Sequence, residues 1–211
     1  MKKLAIIGSG DLGQQIAWYA TSDRKYQVVG FYDDFAVKGH ICKGIPVLGK
    51  IEDVESDFEK GEFDELLLAI GYKHFKERMR IFNELKKTVP FGRLIHSSAY
   101  VDSSAIIGQG VIVYPGCVLD MNSHLQDNVL LNAGVVIAHD SVIGAHSFIS
   151  PGVKIAGFVS VGNCVSLGIG TCVIDNLHLV DFVRTGAGAV VTENLTEPGL
   201  YLGIPARYKK A

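Results

Sequence analysis

Aliphatic residues occupy every sixth position through the second half of this chain, and that spacing limits its fold more than any other feature. The series runs without interruption from Val101 to Leu179. A small or apolar residue stands four positions after each member, from Ala105 to Val183. A period of six matches neither an α-helix nor the two-residue alternation of a strand, so the segment is a structural repeat. It predicts a hexapeptide β-helix, with three short strands in each coil of eighteen residues and the aliphatic residues inside.

The repeat is expected to begin at Tyr100 or Val101 and to continue to about Val191, which is roughly five coils. Each coil should hydrogen-bond to its neighbours and stack its aliphatic residues on theirs. Glycine and asparagine are frequent at the predicted corners of the coils, where a left-handed backbone is expected. These residues are Gly108, Gly110, Asn122, Asn128, Gly144, Gly162, Asn163, Gly168 and Gly170.

The first part of the chain alternates strands and helices instead. Such alternation predicts an α/β domain with a small parallel sheet, of about four strands, which is half of a Rossmann fold. The predicted strands are Lys3–Ile7, Gln27–Tyr32, Glu65–Ile70 and Phe91–Ile95, and the predicted helices are Leu12–Thr21 and His74–Lys87. Because the period changes near His96–Ala99, we expect two domains, residues 1–96 and 97–211.

Composition excludes several classes of partner. The net charge of −2 and the pI near 6.4 argue against nucleic acid or an anionic membrane surface. The apolar stretch Leu4–Ile7 is too short for the core of a signal peptide, and no stretch approaches the length of a membrane span. The four cysteines lack CxxC spacing, which predicts free thiols in a reducing cytoplasm.

A glycine-rich loop, Gly8-Ser9-Gly10-Asp11-Leu12-Gly13, lies between the first predicted strand and the first predicted helix. With Asp33 twenty residues further on, its spacing is that of a dinucleotide-binding fingerprint. However, four strands form only a mononucleotide-binding half, and no hydride-transfer site follows. The spacing therefore favours a nucleotide diphosphate such as a nucleotide-sugar, with a dinucleotide or a plain structural turn as alternatives.

The segment Ala69–Lys73 follows another predicted strand of the same sheet. Ligands bind beyond the carboxyl ends of parallel strands, so Gly71 and Lys73 are candidates to border the nucleotide. A turn that simply ends the strand explains the same residues equally well.

His139 and Asp140 form the main candidate for chemistry in the repeat. His139 comes two residues after an inward aliphatic position, so it should face outward near a corner, where Asp140 can orient its ring. A surface histidine on a turn is the alternative. We predict no metal site, because His124 and His178, which share a position in the repeat, lie about 14 Å apart over three coils.

Together these features resemble the PglD/NeuD-type family of bacterial sugar acetyltransferases. The resemblance rests on the two-domain order, on Asn132-x-x-x-x-Ile137-x-His139-Asp140 and on Gly203-Ile204-Pro205-Ala206. It implies a left-handed parallel β-helix and a cytoplasmic homotrimer with active sites between subunits. It also implies acetyl-CoA as the cosubstrate, a nucleotide-sugar as the acceptor and a role in polysaccharide biosynthesis.

The resemblance also assigns roles to residues. His139 would be the general base with Asp140 as its partner and Asn132 nearby, and the backbone N–H of Gly157 would stabilise the oxyanion. Gly8, Gly10, Gly13, Asp33 and Asp34 fall where relatives contact the nucleotide. With the loop residues Asp11 and Leu12 and the strand-end residues Gly71 and Lys73, they are the predicted nucleotide-sugar contacts. The implied acetyl-CoA contacts are His146, Phe148, Gly157, Gly168, Arg207 and Lys209.

Three positions depart from the pattern of the family. Leu12 and Phe148 stand where many relatives have histidine, and Asp140 stands where some have glutamate. The first departure bears on the identity of the acceptor, because a contact to the sugar or phosphate is missing or replaced by Asp11. The chemistry itself should survive all three changes.

The sequence therefore predicts an acetyl-CoA-dependent N-acetyltransferase that acts on the amino group of a nucleotide-linked 4-amino-deoxy sugar by direct transfer. A sialic acid-type sugar O-acetyltransferase, which would need no pyrophosphate site, is the main alternative. A non-enzymatic assembly scaffold, in which His139 would be idle, is a further one. The base, the sugar and the amino position remain open at this stage.

Overall fold

A computed structural model describes residues 1–209 and divides the chain into two compact units. The first unit is Met1–Leu94, and the second begins at Ile95. Within the described residues, the helices are all too short or too polar to cross a membrane.

The first unit is a parallel sheet with helices. Its strands are β1 Lys3–Ile7, β2 Gln27–Tyr32, β3 Ile41–Cys42, β4 Ile45–Gly49 and β5 Glu65–Leu68. Its helices are α1 Asp11–Ser22, α2 Val54–Glu59 and α3 Phe75–Leu85, with short 3₁₀ turns at Ile51–Asp53 and Tyr72–His74. The sheet order is β3-β4-β2-β1-β5, and all neighbours are parallel except β3, which pairs antiparallel with β4.

Helix α1 forms because its apolar residues recur at helical spacing. Gly13, Ile16, Ala17 and Ala20 are buried along one face. Asp11 lies in the first turn, where its negative charge complements the positive end of the helix dipole. The helix thereby begins directly after the glycine-rich loop and presents its N-terminus there.

Two of the elements in this unit differ from the sequence-based prediction. Helix α2 was not predicted, and only Leu94–Ile95 of the predicted last strand is a strand, because Phe91 makes just an isolated bridge to Leu66. Helix α3 also buries an arginine, a residue type that is rarely buried without partners. Arg78 is fully buried, since its guanidinium donates to the carbonyl oxygens of Leu68 and Ile70 at 3.1 and 2.7 Å.

The second unit is a β-helix with three sheets, and the period of six is confirmed. In the coils of the repeat each strand pairs in parallel with the strand eighteen residues later, as in Val118 with Val136. Beyond the repeat, Gly199–Leu202 pairs in parallel at a separation of sixteen residues, and Arg207–Tyr208 pairs with it antiparallel. The strands of face 1 are Tyr100–Val101, Val118–Leu119, Val136–Ile137, Lys154–Ile155, Cys172–Val173 and Val190–Val191. Face 2 contains Ile106–Ile107, His124–Leu125, Val142–Ile143, Ser160–Val161 and His178–Leu179. Face 3 contains Leu94–Ile95, Ile112–Val113, Leu130–Leu131, Phe148–Ile149, Ser166–Leu167, Val183–Thr185, Gly199–Leu202 and Arg207–Tyr208.

The interior of the β-helix is a single apolar column. Leu119, Ile137 and Ile155 of face 1 are at most 1% exposed, and the matching residues of the other faces in the inner coils are at most 2% exposed. In the first coil, Val101 and Ile107 are only partly buried, because one neighbouring coil is missing on that side. Burial of this column is the main stabilising contribution of the unit.

The three corners of each coil differ in the residues that occupy them. In the corner after face 3, the residues with positive φ are all glycines, namely Gly116, Gly134, Gly152, Gly170 and Gly188. The corner after face 1, called corner 1 below, also has positive φ but holds larger residues: Asn122, Asp140, Phe158 and Asn176. The corner after face 2 holds Gly110, Asn128, His146, Cys164 and Phe182.

Part of the corner prediction was therefore wrong. Asn163 and four of the predicted glycines lie outside the positive-φ region. The glycines are needed for another reason, because a Cβ on any of them would come within 2.4–2.7 Å of the next coil. These four are Gly108, Gly144, Gly162 and Gly168.

Candidate active site

His139 and Asp140 form a hydrogen-bonded pair on the outside of the β-helix. The Nδ1 atom of His139 lies 3.0 Å from Oδ2 of Asp140, and Oδ1 of Asp140 accepts a hydrogen bond of 3.0 Å from Nδ2 of Asn122. The bond with His139, and then that from Asn122, lowers the pKa of Asp140 below its ordinary value. The pair is partly open to solvent, with the His139 side chain 44% exposed.

Two features of the coil make this pair possible. Asp140 stands at corner 1 with φ of 55°, a conformation that aspartate and asparagine tolerate better than most residues. Asn122 occupies the same corner one coil earlier, so the eighteen-residue register brings its amide to the carboxylate. A carboxylate at Nδ1 favours the tautomer with the proton on that nitrogen, which leaves Nε2 as the basic atom.

Gly157 lies directly against the His139 ring. A Cβ at this position would stand 2.6 Å from Cε1 and 2.8 Å from Nε2 of His139, so no other residue fits without moving the ring. The backbone N–H of Gly157 has no hydrogen-bond acceptor among residues 1–209. The site therefore offers a basic nitrogen and an unused N–H donor on adjacent residues of neighbouring coils.

Phe158 closes another side of the same ring. Its ring meets His139 edge to face, with centroids 5.2 Å apart and an interplanar angle of 85°. Its backbone N–H also donates to the carbonyl oxygen of His139 at 3.2 Å. Among the described residues, Nε2 of His139 has no partner, and it is the ring atom available to a ligand.

Other predicted residues of the β-helix lie apart from this pair. Nδ2 of Asn132 donates to the carbonyl oxygen of Ile149 at 3.2 Å rather than to His139. The His146 ring is buried, 5% exposed, with Nδ1 3.1 Å from Nδ2 of Asn128. This burial leaves the ring little surface for the acetyl-CoA contact that the resemblance implies.

The remaining acetyl-CoA candidates have simple surroundings. Phe148 is partly buried on face 3, and Gly168 lies there against the next coil, with its N–H donating to Oγ1 of Thr185 at 2.9 Å. Arg207 is exposed and pairs with Glu193, while the exposed Lys209 bonds through its backbone to Leu200. No contact in the described chain links these residues to His139.

The glycine-rich loop of the first unit has the expected close packing. Gly8 has φ of 100°, and its N–H donates to the carbonyl oxygen of Tyr32 at 2.8 Å. A Cβ on Gly13 would stand 1.9 Å from the carbonyl oxygen of Gly8, whereas one on Gly10 would meet nothing within 4 Å. Gly13 thus lets α1 approach the loop, and Gly10 leaves open space at the helix N-terminus.

Asp33 organises the loop from the neighbouring strand. Its Oδ2 accepts bonds from the N–H and the hydroxyl of Ser9 at 2.8 and 2.6 Å, and its Oδ1 accepts from the N–H of Phe35 at 2.9 Å. Burial alone would raise the pKa of Asp33, but these hydrogen bonds, with one from Ala36, together outweigh it and lower the pKa. The next residue, Asp34, accepts from the N–H of Ile51.

A cavity of about 380 Å³ lies at the carboxyl ends of β1, β2 and β5. The structure brings several of the predicted nucleotide residues together around it. Its lining includes Gly8, Asp33, Asp34, Phe35, Gly71 and His74. Asp11, Leu12 and Lys73 are outside this lining, with Asp11 and Lys73 on the surface.

Sequence reasoning missed three residues that belong with these sites. Asn122 and Phe158 stand eighteen residues before Asp140 and eighteen after it, so the coil length is the signal that finds them. Phe35, at the rim of the cavity, is fully exposed, and an aromatic residue directly after Asp33 and Asp34 was its signal. Within residues 1–209, no group of three or more metal-binding side chains is arranged around an ion.

Two family models match the chain. Residues 3–85 match the PglD N-terminal domain. Residues 122–157, which include His139, Asp140 and Gly157, match the bacterial transferase hexapeptide model of six repeats. Among curated proteins, a probable mitochondrial UDP-3-O-acylglucosamine N-acyltransferase of Arabidopsis thaliana is 44% identical over 50 residues. That match covers 24% of this chain and 16% of the other protein.

Solved structures match over the full length. The acetyltransferase domain of PglB from Neisseria gonorrhoeae is 30% identical with a TM-score of 0.91, over 99% of this chain and 100% of that chain. The same domain has been solved in complex with acetyl coenzyme A. PerB from Caulobacter crescentus, in complex with CoA and GDP-perosamine, is 28% identical with a TM-score of 0.91, over 100% of this chain and 98% of that chain.

Proposed function

We propose a function from the premise that this chain belongs to the PglD/NeuD-type family of left-handed β-helix sugar acetyltransferases and is an acyltransferase. It would transfer the acetyl group of acetyl-CoA to the amino group of a nucleotide-linked 4-amino-deoxy sugar. The observation that carries the proposal is the His139 pair with Asp140, set against the unused N–H of Gly157. The full-length similarity to structures that hold CoA or acetyl-CoA supports the donor.

The proposed reaction is direct transfer between two bound substrates. Nε2 of His139 takes a proton from the acceptor amine while the amine nitrogen bonds to the thioester carbon. The N–H of Gly157 donates to the carbonyl oxygen as it gains negative charge. When the carbon–sulfur bond breaks, the imidazolium of His139 returns the proton to the departing thiolate, and no covalent acyl-enzyme forms. Holding both substrates beside His139 contributes much of the rate.

Asp140 has a separate task in this scheme. Its lowered pKa keeps the carboxylate charged, so it stabilises the imidazolium that forms on His139. Asn122 donates to the other carboxylate oxygen and holds it in that orientation. The two residues therefore orient and charge-stabilise the base without touching the acceptor.

The cavity of the first unit is proposed to hold the nucleotide diphosphate. Helix N-termini with open backbone N–H groups bind phosphates, and the space at Gly10 provides such a place at the start of α1. The cavity of about 380 Å³ beside Gly8 and Asp34 would take the nucleoside. Asp33 acts mainly through the loop, because its carboxylate oxygens accept bonds from the chain itself.

An amino acceptor is favoured over a hydroxyl acceptor. A sialic acid-type O-acetyltransferase would share the β-helix and His139 but would need no diphosphate site. The open loop at Gly10 and the similarity to PerB, which was solved with GDP-perosamine, support N-acetylation. We further propose a cytoplasmic homotrimer with the active sites between subunits, acting in polysaccharide biosynthesis.

The decisive experiment measures release of the CoA thiol from acetyl-CoA. The acceptors are UDP-, GDP- and dTDP-linked 4-amino-6-deoxy sugars and their non-amino counterparts. Turnover with an amino nucleotide-sugar alone is the expected result and identifies the base, whereas release with hydroxyl acceptors alone would replace the proposal by O-acetylation. His139→Ala should reduce kcat by about 10²–10⁴ while the protein remains folded. A near-normal rate would remove His139 from the mechanism.

A further inference from the structure

We propose that Phe158 is a positioning residue, which holds the His139 imidazole in its productive orientation at the expense of backbone strain in its own coil. This inference rests on the proposed function, because it concerns the base of that same site. It adds a residue outside the pair formed by His139 and Asp140.

The first observation is the backbone conformation of Phe158. It stands at corner 1 with φ of 57°, in the left-handed region that bulky residues rarely adopt. The other residues with positive φ at corner 1 are Asn122, Asp140 and Asn176, which tolerate this conformation. At this corner, a bulky residue with an unfavourable φ therefore stands directly after Gly157, and Gly157 packs against His139. Strain of this kind persists where surrounding contacts demand it, and such positions cluster at functional sites.

The second observation is where the ring lies. An apolar ring kept for stability would be buried, but Phe158 is 57% exposed. The part that is covered meets the His139 ring edge to face at 5.2 Å. Aromatic pairs prefer this geometry, so the contact favours one orientation of the imidazole.

The third observation is that the other contacts of His139 do not prevent its ring from rotating. Asp140 holds Nδ1 from one edge, and the backbone of Gly157 lies against Cε1 and Nε2. A ring that is 44% exposed and held by one hydrogen bond still has freedom to rotate. Phe158 restricts that freedom without occupying Nε2.

The test compares two matched variants of the full-length protein. Phe158→Asn places at corner 1 the residue that the chain already uses at Asn122 and Asn176, so the variant should fold. Phe182→Asn makes the same exchange at the corner after face 2, where φ is 60°, without a histidine contact. Both should raise Tm by roughly 2 °C or more, since both relieve the same strain.

Activity should separate the two variants. Phe158→Asn should reduce kcat by about 10- to 100-fold, as misplacement of a reacting group does, with KM for acetyl-CoA changed less than twofold. Phe158→Tyr, which keeps the ring edge, should restore kcat to within about threefold, and Phe182→Asn should leave kcat unchanged. A purely structural role would lower Tm and kcat together, and equal kcat values for the two asparagine variants would overturn the inference.

A crystal structure of the Phe158→Asn protein provides a readout that does not depend on turnover. The His139 ring should leave its place against Gly157 or occupy two orientations, and an unchanged ring would refute the positioning role. Failure of the proposed acceptor gives a different result, because thiol release would then require a hydroxyl acceptor, and failure of the proposed base would leave His139→Ala active. If His139→Ala is inactive but Phe158→Asn is fully active, only the present inference fails.

Discussion

Gly157 packs against His139 so closely that a Cβ on the glycine would stand 2.6 Å from Cε1 of the ring. The glycine belongs to the coil that follows the one carrying the histidine, and its own N–H has no acceptor in the described chain. One residue thus gives the proposed base its space and supplies the proposed oxyanion donor. Both roles depend on the absence of a side chain.

Gly157→Ala should therefore impair catalysis more than folding. Its φ lies outside the left-handed region, so alanine causes no backbone strain there. The added methyl group instead clashes with the His139 ring. Because the His139 side chain is 44% exposed, it can swing away, and we expect kcat to fall about 100-fold with a change in Tm below about 3 °C. Gly116→Ala is the opposite control: its φ is 70°, so Tm should fall while kcat stays normal. Steady-state kinetics and thermal unfolding of both variants test the contrast.

Asp140→Asn should test the charge on the partner of the base. Asparagine suits the left-handed corner, so the fold should be retained, but the carboxylate that stabilises the imidazolium is lost. We expect kcat to fall about 10²- to 10⁴-fold. Asn122→Gly, which removes only the bond to Oδ1 of Asp140, should cost about 2- to 10-fold. A larger loss from Asn122→Gly than from Asp140→Asn would contradict this order.

The same pair predicts part of the pH dependence. Hydrogen bonds with His139 and Asn122 lower the pKa of Asp140 below the ordinary aspartate value of about 3.9. The charged form is therefore present above that value and is lost only as pH falls through the lowered pKa. A profile of kcat against pH should show no inflection from Asp140 above about pH 5, and an inflection there that Asp140→Asn abolishes would refute the assignment.

Two glycines of the first unit should separate packing from ligand binding. Gly13→Ala brings a methyl group against the carbonyl oxygen of Gly8, and it should lower the free energy of unfolding by about 1–3 kcal/mol. Gly10→Ala meets no atom within 4 Å, so Tm should not change. If the diphosphate lies there, KM for the nucleotide-sugar should rise about 10-fold or more while KM for acetyl-CoA stays constant. An unchanged KM for both substrates would show that the diphosphate does not bind at Gly10.

Thiol reactivity should report the buried column of the β-helix. Burial raises the pKa of Cys117 to about 11, and its Sγ donates to the carbonyl oxygen of Asn132 at 3.0 Å. Since the thiolate is the reactive form, Cys117 should resist iodoacetamide at pH 8, while the partly exposed Cys42 reacts. Mass spectrometry of digested protein locates the label, and all four cysteines should react after denaturation in urea. Labelling of Cys117 in the folded protein would mean that the coils open locally.

The repeat was predictable because its interior requires an aliphatic side chain at every sixth position. Leu119, Ile137 and Ile155 are aliphatic since each stacks on the next, and that demand is visible in a single chain. The corners obey two requirements that look alike in sequence. Gly170 supplies a left-handed backbone and Gly168 supplies close approach, and only coordinates separate them.

The site was predictable where it is local and was missed where it spans coils. His139 and Asp140 are adjacent in sequence, so their pairing could be predicted, whereas Asn122 and Phe158 reach them through the eighteen-residue register. The burial of Arg78 was hidden for a similar reason. Its carbonyl partners, Leu68 and Ile70, become available only because β5 ends there.

The position of the His139 coil within the stack has a consequence for how the protein loses activity. Two face 1 strands precede Val136–Ile137 and three follow it, so the site is remote from both ends of the column. Fraying of a terminal coil, where Val101 and Ile107 are only partly buried, should leave the surroundings of His139 unchanged. Amide hydrogens of the coils around the histidine should therefore exchange with deuterium last. On heating, turnover should be lost in one step, at a higher temperature than that at which the terminal coils begin to unfold.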